Sequence, residues 1–117
     1  MISKELLREV MGIHIAHCSE CKAGGDLFYT DTDGGHYINI YELAHKCKEW
    51  ATENKYTILT ENMYPNGYFA YVLSNKESIE NYGYLCENKV IKDIPHNKTE
   101  PEAIFKACEY ILNSIKQ

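Results

Sequence analysis

The chain has 117 residues, 44% of them hydrophobic and 25% charged, and a formal net charge of -5. That length encloses one core, and that balance is ordinary for a globular protein, which excludes disorder and fibre. No apolar run approaches a bilayer span, and the acidic balance, without any stripe of Lys or Arg, speaks against nucleic acid or a membrane as partner. The same charge suits docking onto a basic protein groove. Lys4, Glu5, Arg8 and Glu9 interrupt any apolar segment at the N-terminus, so no signal peptide is read there. The expectation is a cytoplasmic protein whose five cysteines are reduced thiols or metal ligands.

The first helix opens at Ser3, with Ile2 and Leu7 spaced as a hydrophobic staple, and stops at Gly12. Leu6, Leu7, Val10 and Met11 form its apolar face. Leu27 to Asp31 and His36 to Ile38 flank Asp33-Gly34-Gly35 and read as a hairpin. Asn39 then heads a second helix, with Glu42 placed as in a capping box. Its stripe of Ile40, Leu43, Ala44, Cys47, Trp50 and Ala51 keeps helical spacing, and Asn54 is the expected left-handed terminator.

Tyr56 to Met63 and Tyr68 to Ser74 flank Pro65-Asn66-Gly67 and form a clearer hairpin, in which Thr57, Leu59 and Glu61 alternate with Tyr56, Ile58 and Thr60. Tyr82 to Glu87 and Val90 to Ile94 are expected to pair around Asn88. Thr99 and Glu102 form a capping box for the last helix, with Pro101 in its first turn. Ile104, Phe105, Cys108, Ile111, Leu112 and Ile115 line one face of that helix, and Lys116 suits its dipole. The order is α-β-β-α-β-β-β-β-α. Connections this short do not allow parallel crossovers, so the expectation is a single α+β domain over residues 1–117, three α-helices covering an antiparallel sheet of about four to six strands.

Three segments together carry a resemblance. They are Val10-Met11-Gly12, Ile38-Asn39-Ile40-Tyr41-Glu42-Leu43-Ala44-His45-Lys46-Cys47-Lys48-Glu49-Trp50, and Thr99-Glu100-Pro101-Glu102-Ala103-Ile104-Phe105-Lys106-Ala107-Cys108. This set resembles the small "ABA sandwich" domain proteins encoded by phages and prophages, a family of unknown function. The resemblance implies an α/β/α sandwich and a mobile-element origin. Its motifs are a helix stop, a core stripe and a cap, and none carries a catalytic residue. The sequence departs from that pattern between Gly12 and Gly25, where a His/Cys-rich stretch stands.

That stretch contains the candidate chemistry. Cys18-x2-Cys21 has the spacing of half a zinc site, because two thiolates on a tight turn reach one tetrahedral ion. His14 and His17 are the nearest further ligands, and His36 or His45 could join across the fold. The competing reading is incidental thiols and exposed histidines on a strand or helix tail, since no second C-x2-C exists in the chain. A redox reading lacks the strand-to-helix context it needs, and no orienting group supports a Cys–His nucleophile. Asp31-Thr32-Asp33-Gly34 resembles the middle of a calcium loop but puts Tyr29 and Ile40 where its terminal carboxylates belong, so it reads as a turn.

Tyr64, Tyr68, Tyr71, Tyr82 and Tyr84 cluster in the hairpin half. They suit an interface, and equally a half-buried sheet face, which explains them without a partner. Asn97-Lys98-Thr99 has the form of a glycosylation acceptor, which a cytoplasmic chain would not use. With no convergent set of acids, bases or nucleophiles, the sequence points to a non-enzymatic phage or prophage accessory protein that binds a host or phage protein. The alternative is a small zinc-binding module at Cys18 and Cys21.

Overall fold

The structure, a computed structural model, describes residues 2–12, 20–23, 26–30, 37–74 and 89–117, with the backbone alone at 20–23, 26–30, 37 and 89. Three helices and six strands occur among them, in the order α1 (Lys4–Met11), β1 (Glu20–Ala23), β2 (Asp26–Thr30), β3 (Tyr37–Asn39), α2 (Ile40–Glu53), β4 (Tyr56–Asn62), β5 (Tyr68–Ser74), β6 (Lys89–Asn97) and α3 (Glu100–Ile115). The chain is therefore α+β, with antiparallel pairing and three helices among the described residues. The strands divide into two three-stranded ladders, β1-β2-β3 and β4-β5-β6.

The helices start where side-chain caps satisfy their first free N–H groups. Ser3 Oγ accepts from the Leu6 N–H, Asn39 Oδ1 from the Tyr41 N–H, and Thr99 Oγ1 from the Glu102 N–H. Glu102 Oε2 in turn accepts the Lys98 N–H at 3.3 Å, so the reciprocal bond reaches one residue further back than the Thr99 N–H of a standard capping box. At the far end of α1 the Gly12 N–H bonds the Arg8 carbonyl with φ +92°, as expected of a glycine stop. α2 ends differently from expectation. Asn54 has φ -94° and spends its side-chain amide on the Trp50 carbonyl, while Lys55 takes the left-handed conformation at φ 69°.

The apolar stripes meet in one core. Leu6 and Leu7 of α1, Leu43, Cys47 and Trp50 of α2, and Ile104, Phe105, Cys108 and Ile111 of α3 are all buried there. They pack on Ile58, Ala70 and Val72, the inward residues of β4 and β5. Both α2 and α3 present small buried residues (Ala44, Cys47 and Ala51; Ala103, Ala107 and Cys108), which lets the two helices approach closely. α1 is fastened to α3 by Glu109, whose carboxylate accepts both the Ser3 N–H (3.0 Å) and its hydroxyl (2.7 Å). Lys116 reaches back to Glu5 at 2.9 Å. Ile115, expected on the buried face, is 44% exposed because the last turn of α3 runs past the core.

One strand is new, one expected hairpin is present, and β6 has a neighbour that the sequence did not name. A strand not expected from the sequence, β1, pairs with β2 so that Ala23 faces Asp26, with Gly24-Gly25 between them. The hairpin of β2 and β3 is present, with Phe28 opposite Asn39, and its Asp33-Gly34-Gly35 connection lies outside the described residues. β6 pairs with β5. Its expected partner, Tyr82 to Glu87, lies outside the described residues. The pairing carries two irregularities, where three residues of β6 face two of β5 and where two face one, the first bringing His96 to φ 60°.

The β4–β5 hairpin keeps one register from Tyr56↔Ser74 to Asn62↔Tyr68. It turns through a cis Tyr64–Pro65 bond, with Asn66 N–H bonded to the Met63 carbonyl and Met63 N–H to the Gly67 carbonyl. Gly67 has φ +91°, and a Cβ there would lie 2.5 Å from the Asn97 carbonyl oxygen. Asn97 is 1% exposed and its amide donates to the carbonyls of Tyr68, Ile94 and Pro95. The Asn-Lys-Thr triplet thus closes a strand and caps a helix.

Candidate interaction surface

In a strand successive side chains point to opposite faces, so once Ile58, Ala70 and Val72 enter the core their neighbours must face away from the helices. The contrast is sharp along β4, where Ile58 is 3% exposed and Leu59 51%. Antiparallel register then assembles the outward residues into rows. Thr57, Leu73 and Val90 form one row, and Leu59, Tyr71 and Asp93 the next. In the third, Glu61 opposes Phe69, whose ring meets that of His96 edge-on at a centroid distance of 5.1 Å.

The outer face is therefore aliphatic and aromatic with acidic borders. Leu73 is buried, whereas Leu59, Val90 and Ile91 are exposed. Tyr71 spans two rows, its hydroxyl donating to Glu61 Oε1 at 3.1 Å. That bond, with some burial and the nearby charges of Glu61 and Asp93, holds the phenol above its ordinary pKa. At the hairpin tip Met63 and Tyr64 stand out, Tyr64 at 89% exposure. The clustered tyrosines separate by face. Tyr71 and Tyr64 are turned to the outside, Tyr68 is partly buried against the core, and Tyr82 and Tyr84 lie outside the described residues.

The opposite side of the sheet is different in kind. Lys92 faces the helices and its ammonium stands 5.8 Å from the centre of the Tyr110 ring. On the outside of α2 a hollow of about 390 Å³ is lined by Tyr41, Glu42, His45, Lys46 and Glu49, all from that one helix, so among the described residues it has no opposing wall. His45, a possible distant metal ligand in the sequence, is exposed there and contacts Glu49 at 3.1 Å.

His14, His17, Cys18 and His36 lie outside the described residues, and Cys21 sits in β1 opposite Phe28. Among the described residues no group of three or more His, Cys, Asp or Glu could hold a metal ion. No described helix is long and apolar enough to cross a membrane. The outer sheet face escaped the sequence reading, although its signal was present: Leu59 and Glu61 share one phase of the β4 alternation with Thr57. Compared with known protein families, curated proteins and solved structures, the chain matches none.

Proposed function

We propose that this chain is a non-enzymatic accessory protein of phage or prophage origin that binds a host or phage protein through the outer face of the β4–β5–β6 sheet. The observation that carries the reading is the row Leu59–Tyr71–Asp93, an exposed aliphatic side chain and an aromatic one bordered by a carboxylate on a rigid strand framework. Tyr combines a broad apolar face with a polar tip and is enriched at protein interfaces. Carboxylates at its border, on a chain of net charge -5, favour a basic partner surface. The phage origin and the three-layer α/β/α arrangement belong to the same proposal and rest on the resemblance of the helix stop, stripe and cap. In that arrangement the outer sheet face is where a further layer would lie.

The test is capture from the native host with wild-type chain and a Leu59→Asp/Tyr71→Asp variant, both checked for an unchanged melt. One protein retained by the wild type and lost by the variant supports the reading. Equal retention by both would remove the outer face from it.

A further inference from the structure

Among the described residues the β4–β5–β6 ladder ends in two unlike edges. β6 is bulged twice, contains Pro95 and carries His96 at positive φ, all features that spoil pairing with another strand. β4 has none of these. Its seven residues hold an unbroken register with β5 and include no Pro, Lys or Arg.

The bond from the Met63 N–H to the Gly67 carbonyl sets the phase of the ladder. Counting back, Glu61, Leu59 and Thr57 use their backbone groups towards β5, which leaves the N–H and C=O of Ile58 and Thr60 directed to the open side. No strand pairs with that side among the described residues. Carboxylates flank it on both faces. Glu61 stands on the outer one, and Glu100 on the inner one, where its Oε2 accepts the Thr60 hydroxyl at 2.8 Å.

We infer that the edge of β4 receives an added strand from the partner, and that this strand is basic. The inference rests on the protein-binding reading and names its mode. Main-chain bonds to Ile58 and Thr60 would supply affinity, and alternating side chains the selectivity. A Lys or Arg opposite Glu61 meets its carboxylate on the outer face, the next residue meets Glu100 on the inner face, and an apolar residue then covers Leu59. A second copy of this chain is the rival occupant. Two-fold pairing of β4 with itself would crowd two Glu61 and two Glu100 carboxylates along one short ladder, an arrangement that like-charge repulsion opposes.

The probe is a capped synthetic peptide, Thr-Lys-Arg-Val-Thr-Val-Thr, titrated into the isotope-labelled full chain while backbone amide resonances are followed. The expected result is a salt-sensitive shift centred on Ile58 and Thr60. It should be lost when alternate peptide amides are N-methylated, and be severalfold weaker with Glu61→Gln/Glu100→Gln or with Glu in place of the peptide's Lys and Arg. No shift at millimolar peptide, or an equal shift with the N-methylated peptide, overturns strand addition. A concentration-dependent dimer in sedimentation that Asn62→Pro dissolves overturns the basic partner in favour of self-pairing. If the peptide fails while the natural partner is still lost on Leu59→Asp/Tyr71→Asp, face docking stands and strand addition falls.

Discussion

The Cys108 thiol donates to the carbonyl oxygen of Cys47, 3.4 Å away across the seam between α2 and α3. Both residues are wholly buried, and each comes from the centre of an apolar helical stripe. The contact places two small sulfur-bearing side chains at the seam between the helices, and gives the thiol proton a partner that a purely apolar seam would deny it.

Slow thiol chemistry follows. Hydrogen bonding to Cys47 and then burial push the Cys108 thiol far above its ordinary range, so little of the reactive thiolate exists at neutral pH. Peptide mapping after brief alkylation of the folded protein should show both residues protected, with full labelling in denaturant. Labelling of either at the rate of a free peptide cysteine would mean that the seam opens.

At the start of α3, Thr99→Ala deletes the acceptor of the Glu102 N–H and should cost about 1 kcal/mol in a thermal or denaturant melt. The same turn has a pH signature. Burial raises the Glu102 carboxyl, but the Lys106 ammonium and the Lys98 N–H outweigh that and leave its pKa lowered. A depressed acid stabilises above its ordinary value of 4.5, and the contribution is lost as pH falls through the lower folded value. Glu102→Gln should flatten this part of the stability profile. An unchanged profile would show that Lys106 and Lys98 contribute nothing through Glu102.

Gly67→Ala tests the close approach of the hairpin loop to the end of β6. The new methyl would meet the Asn97 carbonyl at 2.5 Å, at a φ of +91° that side chains rarely adopt. The expected loss is at least about 1 kcal/mol. Gly12→Ala, with open space around its Cβ, should suffer the backbone cost without the clash. Equal losses at both glycines would place the whole effect in φ.

For the outer sheet face, a titration of site-labelled Tyr71 should give a midpoint above the ordinary 10.0, moving down in Glu61→Gln as its strongest acceptor weakens. The folded phenol holds its proton to higher pH than an unfolded one. The stability linked to it is therefore present below pH 10.0 and is lost as pH rises through the raised value. A midpoint unmoved by Glu61→Gln would mean that this bond does not form in solution.

The thiols of Cys18 and Cys21 give a metal test. Half a zinc motif without its second half should leave the purified protein metal-free by non-denaturing mass spectrometry, with a melt unaltered by chelator. Near-stoichiometric zinc that disappears in Cys18→Ser/Cys21→Ser would instead establish the site, and His14 and His17 would be the next residues to replace.

What the sequence by itself determined was local. Ser3, Asn39 and Thr99 start the helices because a cap needs an acceptor within three residues of the N–H groups it serves. The burial of Leu43, Cys47 and Trp50 follows from a spacing of three and four, and the exposure of Leu59 beside buried Ile58 from a spacing of two. Strand partnership was not legible in the same way. Each strand offers the same backbone groups along both edges whatever its side chains, so the pairing of β6 with Tyr68–Ser74 depends on the energies of distant contacts. The short β1 could have been suspected from Gly24-Gly25, but four residues carry too little periodicity to declare a strand. The tertiary structure alone decided which further carboxylates join Glu61 beside Leu59 and Thr60, because Asp93 and Glu100 come from elements that only the packed sheet and helix bring to β4.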